Sequence, residues 1–140
     1  MAKSLESLLE TRDWILADGA TGTNLFNMGL EAGEAPELWN EAAPEKIRAL
    51  YDGAIGGGSD LFLTNSFGGT RHRLKLHHAQ DRVFELNRKA AEIARGVADA
   101  ADRKVIVAGS VGPTGELLEP LGALTYDDAV EAFIEQIEGL

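Results

Sequence analysis

Apolar and polar positions along the chain follow one grammar three times over. Residues 15–17, 61–64 and 105–108 are short apolar or β-branched runs, and each predicts a strand. A glycine-rich polar stretch follows each run, and then comes helical spacing. In the first helix Ile47, Leu50, Ala54 and Ile55 share a face, with Pro44 placed for the first turn. In the second, Val83, Leu86, Ala90, Ile93 and Val97 recur three and four apart. The third groups Tyr126, Val130, Phe133, Ile134 and Ile137, and opens on Thr125-Tyr126-Asp127-Asp128, which reads as a capping box. A short amphipathic helix carrying Leu5, Leu8 and Leu9 precedes the first strand.

Alternating strands and helices predict parallel strands joined by right-handed crossovers, an α/β fold. The joints are lopsided. Helix-to-strand joints are brief, whereas residues 19–43, 65–79 and 109–124 form long loops after each strand. Ligand sites in such folds gather at the carboxyl ends of the strands. The run Ile15-Leu16-Ala17 stops at Asp18-Gly19, which places a carboxylate and free backbone at a strand tip. Asp18 there is either a ligand floor or a cap for turn amides. Three units fall short of a closed barrel, which takes eight and about 250 residues. The 140 residues are therefore expected to be the first three βα units of a (β/α)8 barrel, one partial domain of a longer whole. Its open outer strands would invite self-association.

Composition narrows the function. A net charge of −10 argues against nucleic acid or an anionic membrane as partner. No apolar run approaches the roughly 20 residues that span a bilayer. Residues 1–12 mix Lys3, Glu6, Glu10 and Arg12 among leucines and do not read as a signal peptide, so the cytoplasm is the expected compartment. Cysteine is absent, which excludes thiolate nucleophiles and cysteine metal ligands within these residues. His72, His77 and His78 are close in sequence but read better as loop and helix-start residues than as a metal site. Arg71, Arg73, Lys75 and Arg82 form a local basic cluster, either a solvated face or an attractor of carboxylates. Gly56-Gly57-Gly58 precedes a strand and reads as a helix terminator. Residues 109–115 follow a strand and are the better phosphate candidate, although Pro113 removes a donor. Trp14 and Trp39 read as core or loop anchors, with Trp39 also placed to offer an aromatic face.

Three segments carry a resemblance. Leu16-Ala17-Asp18-Gly19-Ala20-Thr21-Gly22-Thr23 resembles the first strand of the homocysteine S-methyltransferase family. Gly58-Ser59-Asp60-Leu61-Phe62-Leu63-Thr64-Asn65-Ser66-Phe67 resembles its second, and Val107-Ala108-Gly109-Ser110-Val111-Gly112-Pro113-Thr114-Gly115 its third. The version here is most similar to bacterial betaine–homocysteine methyltransferases, with the homocysteine-binding domain of methionine synthase a close second. The resemblance implies a (β/α)8 barrel in which zinc binds the thiol of homocysteine, and the sulfur takes a methyl group from a betaine-type or methylfolate-type donor to give methionine. It implies that Asp18 and Gly19 hold the amino acid's ammonium group. Thr64 would help bind the substrate's polar end, and Phe67 with Gly68-Gly69 would shape the donor side. The family's zinc ligands are cysteines on later strands, so the isolated chain is expected to be inactive. The rival readings are a phosphate-binding (β/α)-barrel lyase or isomerase, and a non-catalytic fragment or scaffold subunit.

Overall fold

A computed structural model describes residues 5–140; the first four, part of the segment read as lacking signal-peptide character, lie outside it. The described chain is a helix-rich α/β unit. Helix α1 (Leu5–Leu9) leads into the segment of the first predicted strand. Next come α2 (Thr21–Asn27), a 3-10 turn (Pro36–Leu38), α3 (Trp39–Ala42) and α4 (Pro44–Gly56). Strand β1 (Leu61–Leu63) is followed by α5 (Arg71–Leu74) and the long α6 (Val83–Ala100). Strand β2 (Ile106–Ala108) and α7 (Tyr126–Gly139) complete it.

The strands run parallel and in sequential order, as the repeat predicts. β1 pairs with β2 in the register Leu61 to Ile106 through Leu63 to Ala108. The first predicted strand is reduced to one parallel bridge, Ala17 to Leu61. The reason is a contact distant in sequence. The carbonyl of Leu16 accepts from the amides of both Asp60 and Leu61, while the Leu16 amide donates to the Asp60 carboxylate at 3.2 Å. A side chain thus replaces a ladder bond, and regular pairing stops after Asp18, whose amide donates to Leu61 at 3.0 Å.

Helices α4 and α6 bury the faces their spacing predicts. Ile47, Leu50 and Tyr51 from α4 meet Ile93, Ala94 and Val97 from α6 around Phe62, which is fully buried. α4 begins on Pro44 and stops where Gly58 adopts φ +96°, its amide donating to Ile55 at 3.0 Å. The expected glycine terminator is therefore present.

Three expectations need correction. The stretch read as the long first loop, residues 19–43, contains α2, the 3-10 turn and α3. Helix α7 buries its small face instead of its apolar one. Ala129, Ala132, Gln136 and Gly139 are buried, whereas Val130, Ile134 and Ile137 are exposed. A Cβ on Gly139 would lie 2.9 Å from the carbonyl oxygen of Phe84. That close approach to α6 selects small residues, and it turns the large ones outward. The cap on α7 is present, with the Asp128 amide donating to the Thr125 hydroxyl at 3.1 Å. Trp39 is buried with Lys46 Nζ 4.3 Å from its ring centre, but Trp14 is exposed and anchors nothing in the core.

Candidate functional site

The site is built around the loop that leaves β1. Nearly every backbone group from Thr64 to Gly69 has a fixed partner. The Asn65 amide donates to the Tyr51 hydroxyl at 2.7 Å, and the Asn65 carbonyl accepts from Asn40 Nδ2 at 2.9 Å. The Ser66 carbonyl accepts from Gln136 Nε2 at 2.7 Å, and the Gly69 carbonyl accepts from Asn87 Nδ2 at 2.9 Å. The Gly68 amide donates to the Glu37 carboxylate at 2.7 Å. Asn40, Glu37, Asn87 and Gln136 are all buried. Buried polar groups that are paired in this way fix a single loop geometry.

Sequence reasoning missed these four supports. Asn87 and Gln136 lie on the buried faces of α6 and α7, where apolar residues are the norm. A polar residue at such a position was the available signal.

Thr64 closes a ring between the two strand tips. The Ser110 amide donates to its hydroxyl at 2.9 Å, and Ser66 Oγ donates to the Ser110 carbonyl at 2.7 Å. Thr64 and Ser66 hydroxyls are 2.6 Å apart. Because Ser66 has already spent its only proton, Thr64 is the donor in that bond. Thr64 therefore keeps one acceptor lone pair, and its proton is committed to Ser66.

Asp18 sits at the tip of the first segment, partly buried. Its Oδ2 accepts from the Leu63 amide at 3.1 Å, while its Oδ1 is buried without a hydrogen-bond partner. A carboxylate oxygen in that state is costly unless a donor arrives. With the neighbouring Gly19 it lines a cavity of about 410 Å³, together with Asn24 and Met28. Its charge also adds to the burial that pushes the Tyr51 hydroxyl well above the ordinary tyrosine range.

Phe67 is 61% exposed, and its carbonyl accepts from the Gly112 amide at 3.1 Å. A Cβ on Gly112 would overlap that carbonyl and lie 2.9 Å from two ring atoms, so only glycine lets the two loops meet. Phe67 lines a second cavity, of about 340 Å³. The four residues singled out from sequence thus divide: Asp18 and Gly19 share one cavity, Phe67 belongs to another, and Thr64 braces the loops between them.

The remaining candidates are placed as follows. In the basic cluster, Arg71 pairs with Glu135 at 2.8 Å, and Arg82 pairs with Glu41 and Glu85. The turn after β2 has the Ser110 and Gly112 amides spent on Thr64 and Phe67, which leaves little of it to cradle phosphate. His72, His77 and His78 converge on no metal cluster; no group of three metal-ligating side chains occurs among the described residues. With no cysteine in the sequence either, the residues present do not fit a zinc ion. Among the described residues, no helix is long and apolar enough to cross a membrane.

The comparisons agree with this architecture. The homocysteine S-methyltransferase family model matches residues 15–140, and the chain belongs to that family. Methionine synthase of Mycobacterium leprae (strain TN) is 32% identical over 95% of this chain, which spans 12% of that protein. The homocysteine methyltransferase MmuM from Escherichia coli, in its oxidized form, superposes with a TM-score of 0.66 at 30% identity. That match covers 79% of this chain and 41% of MmuM. The metallated form gives 0.67 and 42%. The chain is therefore similar to part of a barrel methyltransferase and spans well under half the length of these relatives.

Proposed function

We propose that the chain is the amino-terminal, homocysteine-holding part of a methyltransferase that moves a methyl group from a small donor to the homocysteine thiol. The single observation that carries this reading is the buried, unpartnered Oδ1 of Asp18 at a strand tip of a family member. An ammonium group supplies the donor that this oxygen lacks, and the pair is strongest where water is partly excluded. The Gly19 carbonyl is a second acceptor for the same group. Thr64, through its free lone pair, receives a donor from the substrate's polar end, and the loop it braces cannot drift. Phe67 closes the donor side.

No metal step is assigned to this chain, since its residues do not fit zinc. Alone it is expected to form no methionine. The test is a chimera in which this chain replaces the matching portion of MmuM. Methionine formation from homocysteine by the folded chimera, and none by the chain alone, is the expected result. A folded chimera that binds no homocysteine overturns the reading.

A further inference from the structure

The homocysteine reading uses the polar end of the Asp18 cavity and leaves its apolar walls without a role. Asn24 and Met28 line one side of that cavity. They are four residues apart, so they share a face of α2 and its C-terminal cap. Leu50 and Ala54 line the cavity from α4. Met28 is half-buried and packs against the main core.

Helix α2 has only seven residues, too few to hold a position by its own hydrogen bonds. Two devices fix its last turn. The first is a glycine cap. Gly29 takes φ +102°, its amide donates to the Phe26 carbonyl at 3.0 Å, and the Leu30 amide donates to that of Leu25 at 2.9 Å. Leu25 and Leu30 are both buried in the core.

The second device is Lys46, which reaches across from α4. Its Nζ donates to the Met28 carbonyl at 2.8 Å and stands 4.3 Å from the ring centre of Trp39. A cation is favoured at the carbonyl end of a helix, and the indole face holds the ammonium there. Trp39 is itself buried, so the strap from α2 to α4 is anchored in the core.

We infer that Met28 is the surface on which the substrate's side chain packs, and that Lys46 is the positioning residue that holds Met28 in place. An amino acid held by its ammonium group on Asp18 extends its side chain within the same cavity, where Met28, Leu50 and Ala54 supply the apolar surface. A thioether wall suits an unbranched, sulfur-bearing chain, because it is flexible and polarisable. The inference rests on the homocysteine reading and adds what separates that substrate from a shorter amino acid.

The test uses the whole chain, with reduced L-homocysteine and L-alanine as probes. L-alanine carries the same ammonium and carboxylate groups on a single methyl. Binding is read by equilibrium dialysis and by saturation-transfer NMR, and the preference for homocysteine over alanine is compared between variants. Met28→Ala is expected to lower that preference about fivefold or more, with alanine affinity held within about twofold. Lys46→Met keeps the stem beside Trp39 but loses the donor, and is expected to lower it about threefold. Lys46→Arg keeps a donor and is expected to stay within about twofold of the unchanged chain. A merely structural role would lower the melting temperature and both affinities alike. If one variant fails to fold by circular dichroism, the other decides alone. No saturable homocysteine binding, or binding unchanged in Asp18→Ala, overturns the homocysteine reading and this inference with it. Binding that Asp18→Ala abolishes, with the preference unchanged in folded Met28→Ala or Lys46→Met, overturns this inference alone.

Discussion

The Ser110 amide donates to the Thr64 hydroxyl at 2.9 Å, which ties the loop after β2 to the loop after β1 at the mouth of the sheet. Thr64 passes the interaction on to Ser66, and Ser66 returns it to the Ser110 carbonyl. Thr64→Val keeps the shape but leaves the partly buried Ser110 amide without its acceptor. The expected cost is roughly 1–3 kcal/mol in chemical denaturation. Thr64→Ser keeps the ring and is expected to cost under about 1 kcal/mol. A Thr64→Ser loss as large as that of Thr64→Val would contradict this, because the methyl group would then matter as much as the hydroxyl.

Acid is expected to unfold the chain from its carboxylates. The Leu16 amide and the Arg12 guanidinium hold the Asp60 carboxyl below its ordinary value of 3.8, and Arg12 lies 2.6 Å away. Arg82 and Lys89 hold Glu85 down to about 2. Both folded values lie below the unfolded ones. The stability they contribute is therefore complete above about pH 4–5 and is lost as pH falls toward 2. Asp60→Asn is expected to flatten that acid limb, because it removes the titrating group that anchors Leu16. An unchanged acid limb in a pH-dependent melt would contradict this.

Most of the frame is legible in the sequence because it depends on periodicity. The faces of α4 and α6, the glycine stop before β1 and the parallel order all follow from spacing. What escapes is set by tertiary contact. Asp60 reaches back to Leu16 across 44 residues, and no local pattern announces that a side chain will replace a ladder bond there. α7 shows the reverse failure. Its apolar stripe is plain in sequence, yet the close approach of Gly139 to Phe84 favours the small face. At the site, Asp18 is conspicuous at its strand tip. Glu37, Asn40, Asn87 and Gln136 are not, because each meets the loop after β1 only once helices from four parts of the chain have packed.

The outward stripe of α7 leads to a prediction about association. Val130, Ile134 and Ile137 are all exposed on one helix. An apolar stripe in water, together with an open strand edge, favours self-association. Ile134→Glu combined with Ile137→Glu is expected to lower the weight-average mass in sedimentation while leaving helix content intact. Association unaffected by the double variant would place the contact elsewhere, for example at the β2 edge.

The central claim rests on Asp18, and homocysteine affinity tests it most directly. The measurement is calorimetric titration of homocysteine into a complete family methyltransferase that carries these same three strand motifs, with and without the Asp18→Ala change. Removing the carboxylate leaves a buried ammonium unpaired, and the predicted loss is roughly 2–5 kcal/mol. Unchanged affinity would contradict the account and leave Asp18 as the residue that caps the Leu63 amide.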